Sequence, residues 1–177
     1  MELKMALDFK VGDKIIYPSH GLAIIEKIEE KTLLGEKSIF YHVRIIANNT
    51  IVLVPAENAN EMGIRKPIME EEVEEVFNFL KNGDTELIMN WKGRYKEHLE
   101  KMRSGSIYDT ITVLKNLFYL NLIKPLSFRE KKMMERAKSL IAWEISEVKN
   151  IPFSEIEKKI DEILEECFKD FKPSSEF

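Results

Sequence analysis

Residues 39–55 read IFYHVRIIANNTIVLVP, and this stretch decides the fold of the first half of the chain. Ile39–Ile46 mixes aromatic and β-branched side chains, as strands do. Asn48–Asn49 marks a tight turn, Thr50–Val54 follows as a second strand, and Pro55 ends it. The stretch therefore predicts two paired strands joined by a short turn.

Two further strands are predicted upstream of this pair. Residues 13–18 form a short strand that proline stops, and Leu22–Ile28 is rich in β-branched residues. Turn signals lie at residues 19–21 and at Gly35. Four or five short strands within about 50 residues indicate a small barrel or a curled sheet.

The second half of the chain has the apolar period of helices. The period changes from about two to about 3.6 residues between Ala56 and Pro67. We therefore expect an α+β protein with a β domain over residues 1–66 and a helical domain of about five helices over residues 67–177. The helices are expected at residues 70–81, 86–103, 107–122, 127–149 and from near 152 to 171, with capping spacing at Ser106/Asp109, Ser127/Glu130 and Ser154/Glu157.

The charge distribution is uneven although the net charge is only -4. Residues 67–90 hold one basic and seven acidic side chains, whereas residues 91–126 hold seven basic and three acidic ones. An acidic stretch is thus followed by a basic patch. The single cysteine, Cys167, needs no oxidising compartment, and no signal peptide or membrane span is visible, so we expect a cytoplasmic protein.

Signatures of enzymes are weak in this sequence. His20, His42 and His98 lack a cysteine or histidine at the spacing of metal ligands, and the seven glycines form no phosphate-binding loop. We therefore expect no catalytic residue, no metal and no cofactor. Trp143 lies among Leu140, Ile141 and Ile145 in a long helix, so it is expected in the core.

The second expected helix carries Trp91 at the edge of an apolar stripe formed by Ile88, Tyr95, Leu99 and Met102. Cationic side chains and a histidine lie around this tryptophan: Lys92, Arg94, Lys96, His98 and Lys101. Two interpretations stay open. Trp91 belongs to the core and the cations are solvated, or an exposed ring beside phosphate-binding cations contacts nucleic acid.

Six ordered motifs resemble the CarD family of bacterial transcription regulators. They are FKVGD at 9–13, YPSHG at 17–21, VPAEN at 54–58, NWKGRYK at 90–96, LEKMRSG at 99–105 and LSFREKKM at 126–133. The similarity covers residues 9 to about 150 in the same order and spacing. The chain beyond Pro152 matches poorly.

This resemblance implies a Tudor-like β domain that binds the β subunit of RNA polymerase, through positions that include Lys31, Leu53 and Pro55. Lys31 and Leu53 stand where the family has arginines, and lysine lacks the planar fork of arginine. It also implies that Trp91 wedges into the minor groove of promoter DNA, largely independently of sequence, among Lys92, Arg94, Lys96 and Lys101.

The resemblance thus predicts a non-enzymatic, monomeric, nucleoid-associated regulator that stabilises the open promoter complex at the upstream edge of the bubble. The alternative is an adaptor that binds RNA polymerase through protein contacts, makes no direct contact with DNA and buries Trp91. Exposure of Trp91 discriminates between the two.

Overall fold

A computed structural model of the chain describes residues 7–85 and 90–172, and the side chain of Trp91 lies outside this description. The chain divides into two compact units, one ending at Pro67 and one beginning at Ile68. Each unit has its own buried cluster of apolar side chains. The two units are therefore described separately.

From residue 7 onward, the first unit is a four-stranded antiparallel sheet. Its strands are β1 (Lys14–Tyr17), β2 (Gly21–Leu33), β3 (Glu36–Ile45) and β4 (Thr50–Pro55), and they pair in sequence order. A bulge between Ile25 and Lys27 interrupts the β2–β3 register and bends the sheet. The expected small barrel or curled sheet is confirmed as a curled, half-barrel sheet.

Alternation along the strands produces one buried face. On β3, Tyr41, Val43 and Ile45 are buried, and the residues between them face outward. Phe9 closes one side of the core, where its ring meets the edge of the Tyr41 ring at a centroid distance of 5.8 Å. The apolar side chains that recur at every second residue thus form a single core on one face of the sheet.

The β2–β3 hairpin is longer than the sequence indicated. The strands continue through polar residues to a turn at Leu34–Gly35, where both residues have positive φ angles of 51° and 86°. That geometry matches the twist of a two-residue hairpin turn. The polar end of the hairpin was missed because it has no buried face to impose an apolar alternation.

Over residues 68–85 and 90–172, the second unit contains five α-helices and a short 3-10 turn at Glu70–Glu72. The helices are α1 (Val73–Asn82), α2 (Trp91–Arg103), α3 (Ile107–Ile123), α4 (Phe128–Lys149) and α5 (Phe153–Phe168). Within the described part of the chain, no helix is long and apolar enough to cross a membrane.

Helix α3 is the centre of the helical unit and packs against α1, α2, α4 and α5. Its buried residues lie all round its circumference, including Ile111, Leu114 and Leu117. A helix surrounded by its neighbours buries side chains on most of its faces, so the polar Lys115 and Asn116 are buried here together with the apolar residues.

Local capping signals identified two of the helix starts. Ser106 accepts a hydrogen bond from the Asp109 amide, and Ser127 forms a reciprocal capping box with Glu130. The third expectation was wrong: α5 begins at Phe153 behind Pro152, and no side-chain hydrogen bond caps it. Pro152 fixes the backbone there, so Ser154 lies inside the first turn.

The expected start of the second helix at residue 86 was also wrong, because α2 begins at Trp91. Asn90 has an extended backbone, and its side chain accepts a hydrogen bond from the Lys92 amide. An N-cap residue of this type ends any helical continuity from the preceding segment. Residues 86–89 lie outside the described residues.

Trp143 is not in the core, contrary to expectation. Its side chain is 52% exposed and stacks on Phe153 at a centroid distance of 4.4 Å. Ile141, Ala142 and Ile145 are buried instead, so the core-facing side of α4 excludes position 143. Apolar neighbours in sequence had suggested burial, but the phase of the helix decides which side chains face inward.

This arrangement predicts unequal costs for two substitutions on α4. Trp143→Ala should lower the free energy of unfolding by only about 1 kcal/mol, the value of an aromatic pair. Ile141→Ala should cost about 2–5 kcal/mol because it leaves a cavity. Urea denaturation followed by circular dichroism measures both. A larger loss for Trp143→Ala than for Ile141→Ala would contradict the placement of Trp143.

Candidate nucleic-acid interface

The first turns of α2 and α4 form the candidate interface. On α2, Lys92 and Lys96 are exposed, and they lie one turn apart on the same face. Lys101 is half-buried farther along the helix. Trp91 is the first residue of α2, and its predicted exposure stays a prediction because its side chain lies outside the described residues.

Arg94 does not have the expected place on the surface. Its side chain is 2% exposed, and its Nε and Nη2 atoms donate to Glu130 Oε1 at 2.8 and 2.6 Å. The expectation that Arg94 contacts DNA phosphate is therefore wrong: the guanidinium is buried, and a carboxylate of α4 already occupies it. Its charge serves helix packing instead of an external ligand.

The two carboxylate oxygens of Glu130 accept hydrogen bonds from different residues. Oε1 accepts from Arg94, while Oε2 accepts from the Ser127 amide at 3.1 Å and so caps α4. Burial alone would raise the pKa of Glu130, but the hydrogen bonds from Arg94 and Ser127 outweigh it and lower the pKa below its usual range. The ionised carboxylate thus joins the first turn of α2 to the first turn of α4.

His98, one turn after Arg94, is also buried and not on a cationic surface. It is 1% exposed, and its Nδ1 has no hydrogen-bond partner among the residues that the structure describes. Burial, together with the positive charges of Arg94 and Lys101, lowers its pKa to about 4. His98 is therefore neutral at pH 7.

An exposed aromatic ring with cations lies on the first turns of α4. Phe128 is 74% exposed, and Lys132 Nζ lies 5.3 Å from the centre of its ring. Arg129, Lys131 and Lys132 are all exposed. This group was not predicted from the sequence. The available signal was a cluster of three cations, Arg129, Lys131 and Lys132. They lie within four residues of Phe128, the apolar residue directly after the N-cap of α4.

Lys115 holds the other end of the segment that leads to α2. Its side chain is buried, and Nζ donates to the carbonyl oxygens of Lys81 and Gly83 at the end of α1. A cation at a helix C-terminus satisfies carbonyl groups that have no partner within the helix. The bonds from Lys115 to Lys81 and Gly83 therefore hold the chain before residues 86–89. The bond from Arg94 to Glu130 holds the chain after them.

The residues expected to contact polymerase lie on the outward face of the β unit. Lys31 forms an ion pair with Glu29 at 3.6 Å, Leu53 is half-exposed on β4, and Pro55 is partly buried at the end of that strand. Across the residues that the structure describes, no group of three or more His, Cys, Asp or Glu side chains could hold a metal ion.

The burial of Arg94 generates a prediction that separates it from Lys96. Arg94→Met should lower the free energy of unfolding by about 3–5 kcal/mol, because Glu130 is left buried without its counter-charge. Lys96→Met should change it by less than about 0.5 kcal/mol. Urea denaturation measures both variants. Equal stability of the two would show that Arg94 is exposed in solution.

The lowered pKa of His98 predicts acid sensitivity. Between pH 6.5 and about 4 the unfolded chain protonates this histidine and the folded chain does not, so stability falls as pH falls through that window. The maximal slope is about 1.4 kcal/mol per pH unit for one proton. His98→Gln should flatten the pH profile of the thermal midpoint between pH 7 and 5, and an unchanged profile would contradict the burial of a neutral His98.

Comparison with known proteins agrees with this architecture. A family model described as "CarD-like/TRCF RID domain" matches residues 9–68, and one described as "CarD, C-terminal domain" matches residues 75–161. The protein named "Putative transcription factor YdeB" of Bacillus subtilis (strain 168) is 32% identical over 148 residues, which cover 84% of this chain and 97% of the relative. These matches span both structural units in order, and the chain belongs to the CarD family of transcription factors.

Proposed function

We propose that this chain is a non-catalytic transcription regulator that stabilises the open promoter complex. Its β unit binds the β subunit of RNA polymerase, and its helical unit binds promoter DNA at the upstream edge of the melted region. The membership of the CarD family, whose first domain interacts with RNA polymerase, supports the first half of this proposal. The geometry at the starts of α2 and α4 supports the second half.

The observation that carries the DNA-binding proposal is the clustering of cations by the buried Arg94–Glu130 pair. This pair links two helix starts that expose Lys92 and Lys96 on α2 and three cations beside Phe128 on α4. Cations gain affinity by neutralising phosphates and releasing counterions. The first turn of α2 begins at Trp91, the residue proposed to enter the minor groove.

Arg94 has a different role in this proposal from the one its sequence motif suggested. It acts as a positioning residue, because its guanidinium fixes the turn that follows Trp91 against α4. Lys92, Lys96 and Lys101 remain candidate phosphate contacts.

A weak DNA surface is sufficient for this function. Attachment to polymerase raises the local concentration of the helical unit near the promoter, which compensates for a small basic patch on a net-acidic chain. A surface that binds melted promoter DNA better than closed DNA shifts the population toward the open complex. A wedge responds to distorted shape, so we expect little dependence on base sequence.

Trp91→Ala tests the wedge, with Trp143→Ala as the matched control. Loss of a stacked ring is worth about 1–3 kcal/mol, so Trp91→Ala should shorten the lifetime of the open complex about fivefold or more. Trp143→Ala removes a tryptophan from another part of the same unit and should leave the lifetime unchanged. Lifetimes are measured with purified polymerase and a promoter fragment after addition of a competitor.

Thermal unfolding of the free variants supplies the second measurement. If Trp91 is exposed, Trp91→Ala leaves the thermal midpoint nearly unchanged. If the ring belongs to the core, its removal costs about 3–5 kcal/mol and the helical unit melts early. A large loss of stability, or a normal lifetime with intact polymerase binding, would favour an adaptor without DNA contact.

A further inference from the structure

Phe128 takes no part in the packing of the helical unit. Its ring is 74% exposed, and it belongs to neither of the two buried apolar clusters. It is the first residue of α4, directly after the cap Ser127. A single exposed apolar side chain is common on protein surfaces, so exposure alone does not identify a binding residue. The charges around the ring are the more informative observation.

Cations flank the ring of Phe128. Lys132 lies one turn later and about 40° away around the helix axis, and its Nζ is 5.3 Å from the centre of the ring. Lys131 and Arg129 lie about 60° and 100° away on opposite sides. All three cations are exposed, whereas Glu130, on the far side of the helix, is buried. The exposed side of this turn is therefore an aromatic ring among positive charges.

These three cations differ from other cations of the same helix. Lys138 pairs with Asp161 at 3.1 Å, and Lys149 pairs with Glu70 at 3.2 Å. Within residues 7–85 and 90–172, none of the three cations around Phe128 forms an ion pair with a carboxylate. A ring flanked by such cations fits single-stranded nucleic acid, because phosphates bind the cations and the face of a base stacks on the ring.

The buried Arg94–Glu130 pair joins this turn to the start of α2. Its hydrogen bonds of 2.6 and 2.8 Å connect the two first turns through the length of two side chains. Successive phosphates of one DNA strand are about 3.4 Å apart, so a strand that meets α2 reaches α4 within a few nucleotides. In paired DNA the neighbouring bases cover each face, so stacking on Phe128 requires a base that melting has released.

We propose that Phe128 stacks on an unpaired base of the melted promoter, next to the duplex that Trp91 is proposed to enter, while the three cations beside it bind the flanking phosphates. This inference rests on the proposed function and deepens it. A ligand shifts an equilibrium only by its differential affinity for the two states. Phosphates are present in closed and in melted DNA, whereas a free base face is present only in melted DNA. The ring therefore adds preference for the open state.

The test compares two fluorescein-labelled DNA probes of equal length. One probe is fully paired, and the other, the fork probe, has mismatched bases at one end that stay unpaired. Fluorescence anisotropy measures the dissociation constant of the full chain for each probe at low salt, where phosphate contacts are strongest. The parent should bind the fork probe more tightly than the paired probe.

Phe128→Ala should weaken binding to the fork probe about fivefold or more, the effect of one base stacked on an aromatic side chain, and should leave binding to the paired probe within about twofold. Phe128→Tyr should bind as the parent does because it keeps an aromatic face, and Phe128→Leu should behave like Phe128→Ala. Trp143→Ala is the matched control, since it removes another exposed aromatic ring from α4, and it should bind both probes as the parent does. Thermal unfolding should confirm that every variant folds.

Three results would each overturn the stacking contact. They are an unchanged affinity of Phe128→Ala for the fork probe, an equal loss on both probes, and parental affinity of Phe128→Leu, which would indicate apolar burial without stacking. Weaker binding of Phe128→Ala to core RNA polymerase without DNA would also overturn it, by assigning the ring to a protein contact.

The lifetime of the open complex separates this inference from the proposed function. If the parent prolongs the lifetime and Phe128→Ala does so equally, only the stacking inference fails. If the parent neither binds the two probes nor prolongs the lifetime, both proposals fail.

Discussion

The buried ion pair between Arg94 and Glu130 is the interaction on which the candidate DNA surface depends. Two charges removed from water are costly, and the cost is offset only when both groups are well hydrogen-bonded. Here one carboxylate oxygen receives two donors from Arg94, and the other caps α4 through Ser127. One side chain therefore sets the start of α4 and the position of α2 at once.

The two units handle their charges in opposite ways. In the β unit, Lys27, Lys31 and Arg44 of the outward face lie beside Glu26 and Glu29, and Ile51 and Leu53 on the edge strand are exposed. In the helical unit, Arg94 is buried in an ion pair with Glu130, whereas Lys92 and Lys96 nearby are exposed. The exposed cations of the helical unit are thus the ones that suit the polyanion of the proposed function.

In the proposed function, this division explains how an acidic chain binds DNA. The net charge of -4 gives no general attraction to a polyanion, so the basic side chains must be concentrated to be effective. Folding concentrates them by bringing two helix starts together. In the proposed function, attachment through the β unit then supplies the proximity that charge alone does not. In the proposed function, the helical unit supplies the basic surface and the β unit supplies the attachment that keeps this surface near the promoter.

The sequence by itself determined the strands around Asn48–Asn49, the helical second half and the caps at Ser106 and Ser127, because apolar period and capping are local properties of the chain. Tertiary structure decided which side chains those elements bury. Arg94 is buried because Glu130, 36 positions away, folds against it, and Trp143 is exposed because α4 turns Ile141 and Ile145 toward α3 and α5. The burial of a charge depends on a distant counter-charge, which no local pattern contains.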